Sequence, residues 1–221
     1  MFRLLPVLSL LFFTIPFAYA QEEDGTFYSN VVAIAKESIG LEEIPSIGGK
    51  YFRSDCIGFV KFVYKKAGLD LDRIARMGGN NGVAIIYYGL LDRQFVYTNR
   101  DPVPGDLVFF DNTYDYNGNG KWDDPLTHVG IVTERLPHNT WAWIHYASGE
   151  VKEYRINLSW PETHAFRRTD GSLMIINSYL RRDRGEGYAP KEYVASSFFR
   201  AFAHVRVRYQ TEIPATARAG S

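Results

Sequence analysis

The chain has 221 residues, of which 46% are hydrophobic and 15% aromatic, so it can bury one sizeable core and length favours a single domain. Its 25 basic and 25 acidic residues leave no net charge at pH 7. A chain without a bulk positive field is not predicted to bind nucleic acid or the surface of an anionic membrane.

The first 20 residues are predicted to be a signal peptide. Arg3 supplies a short positive start, residues 4–17 are almost wholly apolar, and residues 18–20, Ala-Tyr-Ala, have the small side chains of a cleavage site. The apolar run is shorter than the roughly 20 residues that a spanning helix needs, which favours cleavage over an uncleaved anchor. We therefore expect a secreted protein of the periplasm or cell envelope, with no stable membrane insertion after cleavage.

The remaining sequence predicts a short linker at 21–28, one domain at 29–209 and a flexible tail at 210–221. Apolar residues at spacings of three and four predict helices early in the chain, whereas short apolar or alternating runs predict strands later. Helices followed by strands indicate an α+β fold. The predicted helices are 29–39, 56–67, 71–77 and 83–91, and the predicted strands are 107–110, 129–133, 141–146, 151–156, 173–180 and 201–209.

Cys56 is the one cysteine of the chain, so it cannot form an internal disulfide. A free thiol in an exported protein risks oxidation without structural gain, and its presence needs a reason. Cys56 opens the second predicted helix, directly after the candidate cap Asp55. The dipole and free N–H groups of a helix start favour the thiolate and can receive the oxyanion of a tetrahedral intermediate. We predict a nucleophile, with an inert buried thiol as the alternative.

The sequence around this cysteine resembles a known family. Residues 55–60, Asp-Cys-Ile-Gly-Phe-Val, are similar to the Asp-Cys-Ser-Gly-Phe-Val signature of the NlpC-type cell-wall peptidases, which are relatives of papain-like enzymes. Ile57 departs from this signature, because the family usually has serine there. Residues 105–110 and 128–132 resemble the family's paired strand motifs, in which the histidine opening the second strand is the catalytic base. The resemblance implies that His128 is this base.

A third catalytic residue is implied by the strand at 143–148, which resembles the strand on which the family places a polar group. His145 stands there, and its role would be to hold the ring of His128 in one tautomer and orientation. The 17 residues between the two histidines are more than the family pattern leads us to expect. His138 and Asn139 are the alternatives, and His145 would then be a structural strand residue.

The resemblance covers about residues 29–160 and implies a papain-like core, with N-terminal helices packed on an antiparallel sheet. It implies hydrolysis of an amide bond in peptidoglycan stem peptides by a Cys–His–His triad that requires no cofactor for its chemistry. The family's substrate-contacting tyrosine has no direct match, since Ile44 lies near its place, and Tyr51 is the nearest candidate. Residues from about 161 would extend the sheet or form a lid.

A polar insert before His128 resembles the first nine positions of an EF-hand calcium loop. Oxygen-bearing side chains occupy positions one, three, five and nine, a glycine occupies position six, and position twelve is leucine instead of glutamate. We predict a structural Ca²⁺, with a solvated Asn/Gly turn as the alternative. The predicted ligands are Asp115, Asn117, Asn119, Asp123 and, through its backbone carbonyl, Lys121.

Other functions are compatible with the same residues. An amidase would cut a different wall bond, an acyltransferase would use an amine in place of water, and a binding module would hold calcium or the cell wall without catalysis. Cys56 precedes His128, as in the peptidases, whereas permuted acyltransferases place the histidine first. The unpaired thiol together with its histidines favours an enzyme over a binding module.

Overall fold

The structure, a computed structural model, describes residues 15–75, 78–181 and 193–205, and side chains from residue 25 onwards. In these ranges three α-helices precede all of the strands: α1 is Ile15–Glu37, α2 is Cys56–Lys66 and α3 is Gly82–Leu91. The strands are β1 Val96–Tyr97, β2 Leu107–Phe110, β3 His128–Leu136, β4 Thr140–Ala147, β5 Glu150–Ile156, β6 Ala165–Arg167, β7 Leu173–Ile175 and β8 Phe199–Ala203.

The first helix corrects one prediction. Residues 21–28, expected to be a linker, lie within α1. Phe27 is buried against the ring of Tyr64, with the ring centroids 5.8 Å apart. The predicted tail at 210–221 and residues 1–14 of the predicted signal peptide lie outside the described residues. Within the described part of the chain, no helix is both long enough and apolar enough to cross a membrane.

The main sheet is antiparallel and has the strand order β1-β8-β2-β3-β4-β5, with β6 and β7 forming a separate hairpin. Helices packed on this sheet confirm the predicted α+β fold. The late strand β8 inserts between β1 and β2, so the C-terminal extension adds to the sheet. The predicted strand at 201–209 begins earlier, at Phe199, and residues 206–209 are outside the described ranges.

Two other predicted elements are shorter than expected. The helix predicted at 71–77 is a 3-10 turn at Leu71–Arg73. Asp70 is its N-cap, and the Asp70 side chain accepts a hydrogen bond from the N–H of Asp72. The strand predicted at 173–180 ends at Ile175. The side chain of Asn177 explains this end. Its amide donates to the backbone carbonyls of residues 157, 160 and 163, so these carbonyls are hydrogen-bonded by a side chain and not by a neighbouring strand.

The sheet is buried on both faces, which follows from the alternation of side chains along each strand. In β2, Leu107 and Phe109 pack with the helices, whereas Val108 and Phe110 pack on the opposite face with Trp143. The C-terminal segment around Phe198 covers that opposite face. Helix α2 lies against β3 and β4, and its first residue therefore faces the end of the sheet where β3 begins.

Candidate active site

Helix α2 begins at Cys56, as the sequence predicts. Asp55 has an extended backbone, and its Oδ1 accepts a hydrogen bond of 2.7 Å from the N–H of Gly58. The other carboxylate oxygen forms an ion pair of 3.0 Å with Nε of Arg53. These contacts fix the start of the helix and therefore the position of the sulfur.

The residues that follow Cys56 explain how this helix start is packed. A Cβ at Gly58 would collide with the backbone of Arg53, so only glycine allows the preceding loop to fold over the first turn. The side chain of Ile57 packs on the start of α3, because a Cβ at Gly82 would lie 3.2 Å from its Cγ2. The isoleucine that departs from the family signature therefore makes an apolar contact between two helices.

Two histidines meet on the neighbouring strands β3 and β4. The pairing of Ile131 with Ile144 makes His128 and His145 diagonal neighbours on one face of the sheet. Nε2 of His128 and Nδ1 of His145 are 2.6 Å apart, which is a hydrogen bond. The predicted contact between these residues is thus present in the geometry of the site.

The ring of His145 is completely buried between two aromatic side chains. Its centroid lies 4.3 Å from that of Trp143 and 4.3 Å from that of Tyr154. Gly130 makes room for this arrangement, because a Cβ there would collide with the indole of Trp143. Nε2 of His145 has no hydrogen-bond partner among the described residues.

Burial controls the ionisation of the site. It lowers the pKa of His128 to about 4 and the pKa of His145 well below its usual value. Burial and then the charge of Asp55 raise the pKa of Cys56 to about 12, although backbone N–H groups, that of Val129 first, oppose this shift. The thiol and both imidazoles are therefore neutral at pH 7. The thiolate expected from the helix start is not favoured, because desolvation outweighs the N–H groups.

Cys56 and His128 line one cavity of about 730 Å³, together with His145. They are not hydrogen-bonded to each other among the described contacts, as is common for catalytic pairs without substrate. The polar insert contributes residues 113–116 to the wall, the start of α3 contributes residues 81–83, and the end of β4 contributes residues 146–148. A cavity of this volume can hold a short peptide segment.

The predicted calcium loop is closed by hydrogen bonds of its own side chains. The carboxylate of Asp115 accepts bonds from the N–H groups of Gly118 and Gly120, at 2.7 and 2.8 Å. The amides of Asn117 and Asn119 both donate to Asp123. In the described ranges, no three His, Cys, Asp or Glu side chains are grouped so that they could hold a metal ion. Calcium binding through these residues and the Lys121 carbonyl therefore stays a prediction.

The alternatives for the third residue do not approach His128. His138 and Asn139 form a tight turn between β3 and β4, both with positive φ. The side-chain amide of Asn139 donates to Ser159 at 3.1 Å. Of the three candidates, the one that contacts His128 is His145.

The substrate side of the cavity differs from what the sequence predicts. Tyr51 is 74% exposed and is not part of the cavity wall, and Ile44 is buried in the core. The aromatic side chains in the wall include Tyr114 and Tyr116, which the sequence pattern does not mark as site residues. The sequence does contain one sign of these site residues, namely two tyrosines within an otherwise polar insert. The insert has no periodic pattern, however, so the sequence does not predict the direction of their side chains.

The chain is similar to known proteins that share one family description. A family model described as the NlpC/P60 family matches residues 46–167, which is more than half of the chain. No curated protein matches the chain. Among solved structures, a Staphylococcus aureus protein described as similar to a lipoprotein of the NLP/P60 family is 22% identical, with a TM-score of 0.34. The match covers 57% of this chain and 36% of that one, so the chain spans little more than a third of its length.

Proposed function

Because this chain belongs to the NlpC/P60 family, we propose that it hydrolyses an amide bond in peptidoglycan stem peptides, with Cys56 as nucleophile and His128 as base. The family consists in general of cysteine peptidases and amidases that act on peptidoglycan, so the chain is of the cell-wall hydrolase kind. The triad, the substrate and secretion to the periplasm or cell envelope after removal of residues 1–20 are parts of the proposal.

One observation carries the proposal: a thiol at a helix start and a hydrogen-bonded histidine pair line the same cavity. Nucleophilic catalysis requires a nucleophile, a base that can take its proton and a third group that orients the base. Cys56, His128 and His145 supply these groups in that order. A non-catalytic binding module would have no need for this arrangement around its one thiol.

The hydrogen bond between the histidines is compatible with the tautomer that the base requires. If Nε2 of His128 carries its proton and donates to Nδ1 of His145, then Nδ1 of His128 has a free lone pair. The proton of His145 then resides on its buried Nε2. In this state Nδ1 of His128 can accept the thiol proton. The hydrogen bond to His145 holds the His128 ring in this tautomer and in this orientation.

The first chemical step starts from the neutral pair. The thiol proton moves to Nδ1 of His128 while Sγ of Cys56 bonds to the carbonyl carbon of the substrate, and the carbonyl π pair moves to oxygen. The backbone N–H groups at the start of α2 stabilise the oxyanion that results. Because both groups are neutral at rest, His128 acts as a general base during attack instead of holding a preformed thiolate.

The second step releases the amine. The oxyanion re-forms the carbonyl, the C–N bond breaks, and His128 returns its proton to the leaving nitrogen, which leaves a thioester on Cys56. Water then attacks the thioester with His128 again as base, and the thiol is regenerated with the carboxylic acid product. The side chains carry every proton in this scheme, so it requires no cofactor.

Digestion of purified peptidoglycan tests the proposed function. The mature protein and Cys56→Ala are incubated with diaminopimelate-type and lysine-type walls, with and without Ca²⁺, and the released fragments are identified by mass spectrometry. We expect release by the wild type alone, with truncated stem peptides. Whole stem peptides would identify an amidase, and products joined to an added amine would identify a transferase. Equal release by both proteins, or none by either, would contradict cysteine-dependent wall hydrolysis.

A further inference from the structure

The C-terminal segment around Arg181 lies beyond the part of the chain that the family model matches, which ends at residue 167. Leu180 nevertheless lines the cavity that contains Cys56. The next residue, Arg181, is only 3% exposed. A charged side chain is rarely buried unless polar partners engage it, so the contacts of Arg181 indicate what this segment contributes to the site.

Arg181 binds the neck of the polar insert, which we define as residues 111–113 and 124–127. Its Nη1 donates to the backbone carbonyl of Asn112 at 2.7 Å. Its guanidinium lies 4.6 Å from the ring centroid of Trp122, which is a cation–π contact with the loop that the neck supports. One buried cation of the C-terminal segment therefore contacts both the neck and the loop beyond it.

The neck is closed by hydrogen bonds between its two sides. The N–H of Asn112 donates to the carbonyl of Asp124 at 2.8 Å, and the N–H of Asp124 donates back to Oδ1 of Asn112 at 2.7 Å. Beside this pair, the N–H of Thr127 donates to the carbonyl of Phe110 at 3.0 Å. His128 follows Thr127 directly, so a displacement of the neck is transmitted to the base.

The backbone of Leu126 shows that the neck needs support. Its φ is 54°, in the left-handed region that leucine rarely adopts, and its side chain is fully buried. Such a conformation persists only where the surrounding contacts enforce it. The N–H of Leu126 donates to Oδ1 of Asp111 at 2.8 Å, and Asp111 directly precedes the residue that Arg181 binds. Loss of the Arg181 contact would therefore allow the chain entering His128 to relax.

We propose that Arg181 is a positioning residue for His128. Arg181 is not part of the cavity wall, so it acts through the neck of the insert and not on substrate. By holding the carbonyl of Asn112 it fixes the point at which the chain enters β3, and with it the position of the His128 ring. The C-terminal segment is then a part of the active site. The inference rests on the proposed function, because it assigns a support to the proposed base.

Steady-state kinetics of Arg181→Gln tests this role. Misplacement of a catalytic group by about 1 Å lowers the rate by up to about 10²-fold, so we expect kcat to fall by about tenfold or more. Arg181→Lys keeps a cation and should retain more activity. Arg93→Gln is the matched control, because Arg93 also donates to backbone carbonyls, those of Ile74 and Gly89, but beyond the end of α3 that lies away from the cavity. Equal kcat in the two glutamine variants would overturn the proposal.

The ring nitrogens of His128 provide a second measurement that does not depend on hydrolysis. In protein labelled with ¹⁵N-histidine, the NMR signals of His128 are assigned by their loss in His128→Asn, and their shifts report the hydrogen bond of its Nε2. We expect Arg181→Gln to shift these signals and to leave those of His164, which is not in the cavity wall, unchanged. Arg93→Gln should leave both sets in place. A loss of global stability alone would not shift His128 in a folded sample.

The two measurements separate the inference from the proposed function. Unchanged His128 signals in folded Arg181→Gln would refute the role of Arg181, even if the wall is hydrolysed. Shifted His128 signals, with nothing released from peptidoglycan by the wild type, would refute the proposed function and support Arg181 as the residue that positions His128. If Arg181→Gln does not fold, Arg181→Lys is compared with Arg93→Lys, and equal kcat together with equal His128 signals would overturn the proposal.

Discussion

Nε2 of His128 and Nδ1 of His145 lie 2.6 Å apart, and both side chains are buried. A hydrogen bond in such surroundings is electrostatically stronger than the same bond in water. Because Trp143 and Tyr154 enclose the second ring, His145 cannot turn away without displacing an aromatic side chain. The pair is therefore a rigid support for the base.

Removal of His145 should lower the rate much more than it lowers substrate affinity. We expect His145→Leu to reduce kcat by about 10²- to 10⁴-fold, because His128 then adopts the wrong tautomer or orientation. His145→Asn should retain more activity, since its amide oxygen can still accept from Nε2 of His128. His138→Ala is the control, because His138 lies in the turn away from the cavity, and it should be close to wild type. Equal activity of the leucine and asparagine variants would exclude an orienting role.

Alkylation of the native thiol should be slow at neutral pH. Burial and Asp55 raise the pKa of Cys56 to about 12, so the thiolate fraction at pH 8 is lower in the folded protein than in the unfolded chain. We expect iodoacetamide to react at least about tenfold faster in urea than with the native protein, with the native rate still rising above pH 9. Fast native alkylation near pH 6 would indicate a thiolate–imidazolium pair and contradict a neutral resting site.

Acid should destabilise the fold through the buried histidines. The folded pKa of His128 is about 4, below its usual 6.5, so the unfolded chain binds more protons between these values. The contribution of His128 is fully present above pH 6.5 and is lost as the pH falls towards 4. This shift corresponds to on the order of 3 kcal/mol. Urea unfolding at pH 7 and pH 4.5 should show a smaller loss in His128→Asn than in wild type, and equal losses would contradict the assignment.

Substitution of Gly58 should displace the start of α2. The added Cβ of Gly58→Ala collides with the backbone of Arg53, which cannot move aside as a side chain can. We expect a loss of about 3 kcal/mol or more in the free energy of unfolding. Gly25→Ala is the matched control, because no atom would lie within 4 Å of the Cβ added there and alanine favours a helix. Similar thermal melts for the two variants would contradict the packing described for this turn.

Calcium should stabilise the insert that precedes His128. Asp115 and Asp123 supply carboxylates, and two asparagines and the Lys121 carbonyl supply further oxygen ligands of the type that Ca²⁺ prefers. We expect Ca²⁺ to raise the Tm of the wild type and EGTA to reverse the change, with little effect on Asp115→Ala. An unchanged melting curve after chelation would identify the insert as a solvated turn closed by its own hydrogen bonds.

The sequence predicts the parts of the site that depend on contiguous residues. Asp55 and Cys56 adjoin a periodic apolar pattern, which is sufficient to predict a capped helix and a thiol at its start. His128 begins a strand within a two-part motif, so its position at the end of the sheet could also be predicted from the sequence. The prediction of His145 followed from its strand, although the separation along the chain did not show that the two rings would touch.

The features that the sequence did not predict depend on contacts between distant segments. The insertion of β8 between β1 and β2 is a long-range pairing with no local signature. The ionisation of Cys56 depends on how deeply the folded chain buries it, and this outweighed the effect of the helix start. Tyr114 lies in a loop with no repeating pattern, so its direction became clear only from the cavity.

Stoichiometric alkylation tests the central claim most directly, because Cys56 is the one cysteine in the chain. The mature protein is treated with increasing iodoacetamide at pH 9, and both the intact mass and the peptidoglycan-hydrolysing activity are measured at each step. We predict that activity falls in proportion to the fraction of chains carrying one alkyl group and reaches zero when every chain is modified. Full activity in a completely alkylated sample would show that the thiol is not the nucleophile.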